Sequence, residues 1–256
     1  MNNESIHITI LGSGTCVPSL KRSACSVLLK INNSKILIDS GPGTTRRLLE
    51  AGHNINQLSH IFYSHFHPDH ISELISIIFS SKYSGLQRSF PLIITAGHGF
   101  LSFYKKLKTV FNNWIEMENM ILDEISISGS GKRIFKDFEL ATSPTNHNPE
   151  SIAFRFTNKS GKTVVYSGDT DESDQLEKIA HNADVFICES AMPDHLKVNG
   201  HLTPSLAGKI AQKASVKKLV LTHLYPECDE TDLIKECQKT YSGHLLIAED
   251  LMQLSV

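Results

Sequence analysis

Short apolar stretches recur along the whole chain, and turn-forming residues separate them. Strand patterns occupy the first half near 6–11, 25–31, 35–39 and 91–95, with a longer one over 120–128. Strand patterns at 152–156, 162–167, 184–188, 217–222 and 244–249 follow in the second half. Helical spacing marks 44–51, 99–108, 173–181, 204–215 and 230–239. The pattern alone predicts mixed α and β structure.

Composition indicates one compact domain. The 256 residues, 40% of them hydrophobic, can bury a large core without disulfides, so we expect a single catalytic domain over residues 1–256. The net charge of -2 argues against general affinity for nucleic acid, although a local basic groove could be hidden in the average.

Cysteine usage and the absence of long apolar runs bear on location. The five cysteines are odd in number and form no C-x-x-C pair, which is typical of reduced thiols. No apolar run approaches the roughly 20 residues that cross a bilayer, and the first residues lack the design of a signal peptide. We therefore expect a cytoplasmic protein.

The densest chemical signal is the segment Ser64–His70, which contains three histidines and an aspartate as H-x-H-x-D-H. An apolar run precedes it and helical spacing follows it, so it lies at a strand-to-helix turn. His65 and His67 share a face and can reach one ion, while Asp69 and His70 open the helix. Imidazole and carboxylate ligands suit Zn²⁺, with Mn²⁺ or Fe as alternatives.

Three later segments offer one further ligand each at the edge of a predicted strand. His147 precedes the strand at 152–156, Asp169 follows the strand at 162–167, and His223 follows the strand at 217–222. Open sheets present their sites at such positions. Each of these residues alone is more simply interpreted as a polar cap, but together with the first cluster they predict a metal site. Six other histidines fit no motif and are interpreted as ordinary polar positions: His53, His60, His98, His181, His195 and His244.

In these motifs the sequence resembles the metallo-β-lactamase-fold hydrolases over nearly its whole length. The resemblance implies an α+β fold, a four-layer αββα sandwich of two mixed sheets with helices outside. It also implies two divalent metal ions, the first held by His65, His67 and His147 and the second by Asp69, His70 and His223. Asp169 would bridge them, and Asp39, in Asp39-Ser40-Gly41, would orient ligands from beneath.

Further residues narrow the resemblance to the ribonuclease Z-like phosphodiesterases. They are the opening segment Leu11–Ser19, Glu189-Ser190, and His201-Leu202-Thr203 before a helix. The Gly/Pro-rich basic arm with which ribonuclease Z grips tRNA is not found in the sequence. This departure weighs against tRNA maturation and leaves phosphodiester chemistry in place.

The resemblance also implies a mechanism. Two metals would activate a bridging water, Asp69 would order or deprotonate that water, and His201, held by Glu189, would stabilise or protonate the leaving oxygen. From the sequence alone, a structural role for His201 is equally reasonable, and the resemblance favours the catalytic one. The expected substrate is a cyclic nucleotide, a small cyclic diester or RNA, and a homodimer stays open.

Two other functions are compatible with the same ligands. An acyl hydrolase such as a lactonase or thioesterase would use the same hydroxide on a carbonyl carbon. A metal-bound sensor would keep the ligands without turnover. The segments around Glu189 and His201 favour the diesterase over the acyl hydrolase, and the complete ligand set argues against the sensor.

Overall fold

Two seven-stranded sheets form the centre of the molecule. The structure, a computed structural model, describes residues 5–83 and 88–256. The strands are β1 (Ile6–Gly12), β2 (Ser26–Ile31), β3 (Ser34–Ile38), β4 (His60–Tyr63), β5 (Leu92–Ala96), β6 (Met120–Glu124), β7 (Gly131–Ile134), β8 (Phe138–Pro144), β9 (Ile152–Asn158), β10 (Thr163–Tyr166), β11 (Val185–Glu189), β12 (Lys218–Thr222), β13 (His244–Ile247) and β14 (Gln253–Ser255). The first sheet has the order β14-β1-β2-β3-β4-β5-β6 and the second β13-β12-β11-β10-β9-β8-β7.

The part of the chain that the structure describes contains seven α-helices beside the sheets. They are α1 (Thr44–Glu50), α2 (Pro68–Ile71), α3 (Leu74–Tyr83), α4 (Phe100–Phe111), α5 (Asp174–Ala180), α6 (Pro204–Lys213) and α7 (Leu233–Cys237). Among the described residues, none of these helices combines the length and apolar character needed to cross a membrane.

Three apolar clusters define four layers. Inward-facing residues of both sheets, such as Ile38, Phe62, Phe154 and Val185, form the cluster between the sheets. A second cluster joins the outer face of the second sheet to α5 and α6, and a third joins the outer face of the first sheet to α1, α3 and α4. Burial of these faces stabilises the fold by roughly 25 cal/mol per Å² of apolar surface. The αββα sandwich expected from the resemblance is confirmed.

Strand direction brings the ends of several strands together. In the first sheet β3, β4, β5 and β6 run parallel, and in the second β10, β11, β12 and β13 do. The residues directly after five of these strands therefore lie at one edge of the sandwich, where sites in such sheets usually occur. The five strands are β3, β4, β10, β11 and β12.

Two element predictions need correction. The strand predicted over 120–128 ends at Glu124, because the chain turns at 126–129, where Gly129 has a φ of 63° and its N–H bonds to the carbonyl of Ser126. The helix predicted over 230–239 covers only Leu233–Cys237, because Pro226–Glu230 forms a 3₁₀ turn and the Asp232 side chain caps the new helix at the Lys235 N–H.

Candidate metal centre

The two halves of the candidate site come from different sheets. His65, His67, Asp69 and His70 follow β4, while Asp169 follows β10 and His223 follows β12. His147 lies in the turn between β8 and β9, which is closed by a hydrogen bond from the Thr145 N–H to the Ser151 carbonyl. The structure therefore brings all seven sequence-predicted ligands together.

The carboxylate of Asp169 lies at the centre of this cluster. Its Oδ2 is 3.5 Å from His65 Nε2 and 3.9 Å from His147 Nε2. Its Oδ1 is 3.2 Å from His70 Nε2 and 3.4 Å from His223 Nε2. One oxygen thus faces each group of histidines.

The remaining ligands complete these two groups. His65, His67, His147 and Asp169 form one set whose ligand atoms lie within 4.8 Å of one another, and Asp69, His70 and His223 form another. Asp69 Oδ2 lies 3.5 Å from His223 Nε2. His201 joins a third such set with Asp169 and His223, although the sequence analysis gave it no place among the ligands.

Unsatisfied atoms test whether the cluster fits metal ions. Nε2 of His65, His70 and His223 and Oδ1 of Asp169 are buried and have no hydrogen-bond partner. Buried polar atoms normally have one, so four converging exceptions need a partner of another kind. Divalent cations supply it, because neutral imidazole nitrogens and carboxylate oxygens are their ordinary ligands.

Electrostatics show how strongly the metal-free cluster is coupled: burial opposes the charge of His70, but Asp169 and Asp39 raise its pKa well above the usual range. Burial and then the charge of His70 hold the pKa of His65 well below its usual range, so its nitrogen keeps a free lone pair. Burial opposes the charge of Asp169, but His223 and His70 still hold the pKa of its carboxyl well below the usual range. For Asp69, burial is likewise outweighed by the adjacent imidazole of His223 and by the charge of His70, which lower the pKa to about 2.

Asp39 supports the cluster from below. It is fully buried and has a φ of 56°, the left-handed conformation in which strain is often found at functional sites. Its carboxylate accepts hydrogen bonds from the Ser64 N–H (2.7 Å) and hydroxyl (2.8 Å), the Tyr166 hydroxyl (2.8 Å) and His70 Nδ1 (2.7 Å). The last bond leaves His70 Nε2 free to face Asp169.

Close backbone approach at Gly168 allows Asp169 to reach the cluster. Gly168 has a φ of 59°, and a Cβ there would lie 2.8 Å from the Ser64 Cβ. A side chain at this position would push the two strand ends apart, so glycine is required.

Glu189 and His201 form a pair at the edge of the cluster. Glu189 Oε1 accepts from His201 Nδ1 (2.9 Å) and the Thr170 N–H (2.9 Å), and Oε2 accepts from the N–H groups of Ala191 and Leu202, each at 3.1 Å. Burial alone would lower the pKa of His201, but the hydrogen bond and charge of Glu189 raise it. His201 Nδ1 also lies 4.0 Å from Asp169 Oδ2.

Comparison with known proteins places this geometry in a family. The model of the family described as Anti-Pycsar protein Apyc1 matches residues 6–240. The chain belongs to this family.

Individual relatives of this Apyc1-family chain carry ribonuclease Z names. Ribonuclease Z 1 of Schizosaccharomyces pombe is 29% identical and is matched over 98% of this chain but only 35% of its own length. Ribonuclease Z of Methanosarcina acetivorans is 25% identical over 98% of both proteins. These relatives confirm the ribonuclease Z-like resemblance, although the family model carries a different name.

A solved structure shows the fold of this Apyc1-family chain independently. The metallo-β-lactamase-fold protein YhfI from Bacillus subtilis superposes with a TM-score of 0.85 at 22% identity, covering 98% of this chain and 100% of that one. The likeness at this identity shows the metallo-β-lactamase fold.

Several residues around the site were missed by sequence reasoning. Asp171 accepts from the Gly200 N–H (3.0 Å) and Lys197 Nζ (2.8 Å), and the Gly200 carbonyl lies 2.9 Å from His147 Nδ1. Tyr225 lies beside the exposed Cys16, with its ring centroid 6.1 Å from that of His223. Asn148 contacts His67. For Asp171, Tyr225 and Asn148, the one signal in the sequence is that each lies within two residues of a ligand, namely Asp169, His223 or His147.

Proposed function

We propose that this protein is a metal-dependent hydrolase that cleaves a small phosphodiester, with a cyclic nucleotide or another small cyclic diester preferred over tRNA. The observation that carries the proposal is the central carboxylate of Asp169, flanked by two sets of metal-ligating side chains, with the His201–Glu189 pair beside it. Dinuclear sites of this kind are suited to displacement at phosphorus.

Two ions fit the two sets. His65, His67 and His147 would hold the first and Asp69, His70 and His223 the second, with Asp169 shared between them. Zn²⁺ is the proposed metal, since imidazole nitrogens and carboxylate oxygens together favour it, and Mn²⁺ and Fe suit the same donors. When bound, the ions supply Lewis acidity that activates water and neutralises phosphate charge.

The chain's own residues perform the remaining steps. Asp69, with its lowered pKa, stays a carboxylate at neutral pH and can accept a hydrogen bond from the attacking water. Glu189 holds His201 by Nδ1, which leaves Nε2 to donate a proton to the departing oxygen. Because His201 donates through one fixed nitrogen, its orientation is set before substrate arrives.

Insertions in the relatives support a small substrate. The alignment with the Methanosarcina acetivorans ribonuclease Z runs over 308 positions, whereas this chain has 256 residues. That relative therefore contains inserted segments that this chain lacks. The missing tRNA-gripping arm in the sequence agrees with this difference.

The cysteines support a cytoplasmic location as part of the proposal. All five, Cys16, Cys25, Cys188, Cys228 and Cys237, are free thiols. Free thiols of this number fit a reducing compartment.

A substrate panel tests the proposal. Protein reconstituted with Zn²⁺ or Mn²⁺ would be assayed against 3′,5′-cyclic nucleotides, bis(p-nitrophenyl) phosphate, a tRNA with a 3′ trailer, a lactone and a thioester. We expect the highest kcat/KM on a small phosphodiester and no turnover by Asp69→Ala. The matched control His98→Ala alters an exposed histidine outside the cluster and should keep full activity. Preference for the lactone or thioester would replace the proposal by the acyl-hydrolase alternative.

A further inference from the structure

Asn148 is the neighbour of the ligand His147 in sequence, yet its side chain contacts a different ligand. Its Nδ2 lies 3.0 Å from Nε2 of His67, across 81 positions of sequence. The opposite ring nitrogen, His67 Nδ1, lies 3.3 Å from His147 Nε2 and so faces the cluster. The imidazole of His67 therefore has one nitrogen turned to the cluster and one turned to Asn148.

The identity of the amide atom at this contact decides which nitrogen of His67 carries the proton. A neutral imidazole has one N–H and one lone pair. If the amide NH₂ points at Nε2, the proton of His67 must sit on Nδ1, which then has no lone pair for an ion. Rotation of the amide by 180° exchanges nitrogen for oxygen in the same space, and the oxygen accepts from Nε2–H.

We propose that Asn148 is a positioning residue that presents its carbonyl oxygen to His67 Nε2–H and so keeps the lone pair of Nδ1 free for the metal. Metal-ligating histidines commonly donate their second N–H to an oxygen that fixes tautomer and ring orientation. His70 has such a partner in Asp39, and His147 has one in the Gly200 carbonyl. Asn148 is the corresponding oxygen partner of His67. The inference rests on the metal site of the proposed function.

The backbone around Asn148 does not depend on its side chain. The Ser151 N–H donates to the Asn148 carbonyl at 2.9 Å, and the Asn148 N–H donates to the Ser151 hydroxyl at 3.2 Å. Truncation of the side chain therefore leaves the turn in place. Asn146, in the same turn, is exposed and uses its amide nitrogen on the Glu172 carbonyl, so Asn146→Ala is a matched control.

The first experiment observes the tautomer in metal-free protein. Long-range ¹H–¹⁵N correlation spectra at about pH 8.5, above the usual pKa of an imidazole, distinguish Nε2–H from Nδ1–H. His67→Gln identifies the signal. We expect Nε2–H in the wild type, in Asn146→Ala and in Asn148→Asp, and loss of that preference in Asn148→Ala. A wild type with Nδ1–H, or an unchanged tautomer in Asn148→Ala, would overturn the inference.

The second experiment measures metal affinity by competition with a chromophoric chelator. We expect Asn148→Ala to bind the ion assigned to His65, His67 and His147 10–100-fold less tightly than the wild type does. Asn146→Ala should be unchanged, and Asn148→Asp should recover the affinity. Equal affinity of Asn148→Ala and wild type would contradict the role. A wild type that binds no metal would instead refute the proposed function, while the tautomer spectra would still decide the assignment of Asn148.

Discussion

The buried carboxylate of Glu189 organises one edge of the site, because both of its oxygens are fully used by hydrogen bonds within the fold. Each oxygen of Glu189 accepts two hydrogen bonds. Of these four bonds, three come from backbone N–H groups and one comes from His201. Such a carboxylate cannot also contact substrate without breaking a bond inside the fold. Glu189, expected from the resemblance among the catalytic residues, is therefore proposed to act by positioning His201.

Removal of the central carboxylate should empty the site. Elemental analysis of the reconstituted wild type should find about two divalent ions per chain. We expect Asp169→Ala to lose most of one or both, because each of its oxygens faces a different group of histidines. Asp174→Ala is the control, since Asp174 is exposed in the first turn of α5 and lies outside the cluster. Full occupancy in Asp169→Ala would show that the carboxylate is not shared.

His201 should separate metal binding from turnover. We expect His201→Ala to keep both ions and the fold but to lose roughly 10²–10⁴ in kcat on an unactivated diester, because no proton reaches the leaving oxygen. The loss should be smaller on bis(p-nitrophenyl) phosphate, whose leaving group needs no proton. The measurement is kcat on both substrates alongside metal content. Full activity on the unactivated diester would make His201 structural.

Site residues could be predicted from the sequence where several of them lie together in one short segment. His65, His67, Asp69 and His70 were visible as one motif, and the resemblance supplied the others. Asn148 was not visible, because its partner His67 lies 81 positions away and only the fold brings them together. His60 was interpreted as an ordinary polar position, which is wrong: it is 8% exposed and packs edge-on against Phe135 and Phe138.

Among the elements, strands buried along nearly their whole length were predictable and the exposed edge strand β7 was not. The strands β10, β11 and β12 are nearly fully buried, so their apolar runs stand out in the sequence. The edge strand β7 (Gly131–Ile134) is mostly exposed and carries Lys132 and Arg133, so no apolar alternation marks it. Charged residues on an edge also discourage pairing with other chains.

His60, which opens strand β4, should make stability depend on pH. Burial lowers its pKa from about 6.5 to about 4. Above about pH 6.5 the imidazole is neutral in both states. As the pH falls towards 4, the unfolded chain takes up a proton that the folded state excludes, so up to roughly 3 kcal/mol of stability is lost. Substitution His60→Phe should remove this part of the loss.

Denaturant unfolding of the metal-free proteins between about pH 7 and pH 4.5 would measure this difference. The stability of His60→Phe relative to the wild type should rise as the pH falls. His181→Phe, at an exposed position, is the control and should follow the wild-type slope. Parallel curves for His60→Phe and the wild type would show that the buried imidazole is not the acid-sensitive group.

At the scale of the whole molecule, a partly buried polar network joins the segment after β1 and the segment before β14 to the site. Asp250 accepts from the Ser13 N–H (2.9 Å) and hydroxyl (2.8 Å) and from the Ser23 N–H (2.7 Å), and it pairs with Arg47 at 3.0 Å. The Ser13 carbonyl in turn accepts from the N–H of Leu224 at 2.9 Å, directly after His223. The opening segment Leu11–Ser19 is thereby fixed between the C-terminal segment and a candidate metal ligand.

Asp250→Ala should therefore affect both stability and the metal centre. Its side chain is 6% exposed, and its removal leaves the N–H groups of Ser13 and Ser23 without their acceptor. We expect the free energy of unfolding to fall by about 3 kcal/mol, because several charge-assisted hydrogen bonds are lost and the structure relaxes only in part. We also expect weaker metal binding, because the turn at His223 loosens. Glu50→Ala removes the other acidic partner of Arg47 at an accessible position, where an ion pair contributes little, and should cost much less stability. Denaturant unfolding and chelator competition on both variants make the comparison. An Asp250→Ala protein as stable as Glu50→Ala, with unchanged metal affinity, would show that the Asp250 side chain does not hold Ser13 and the turn at His223 in place.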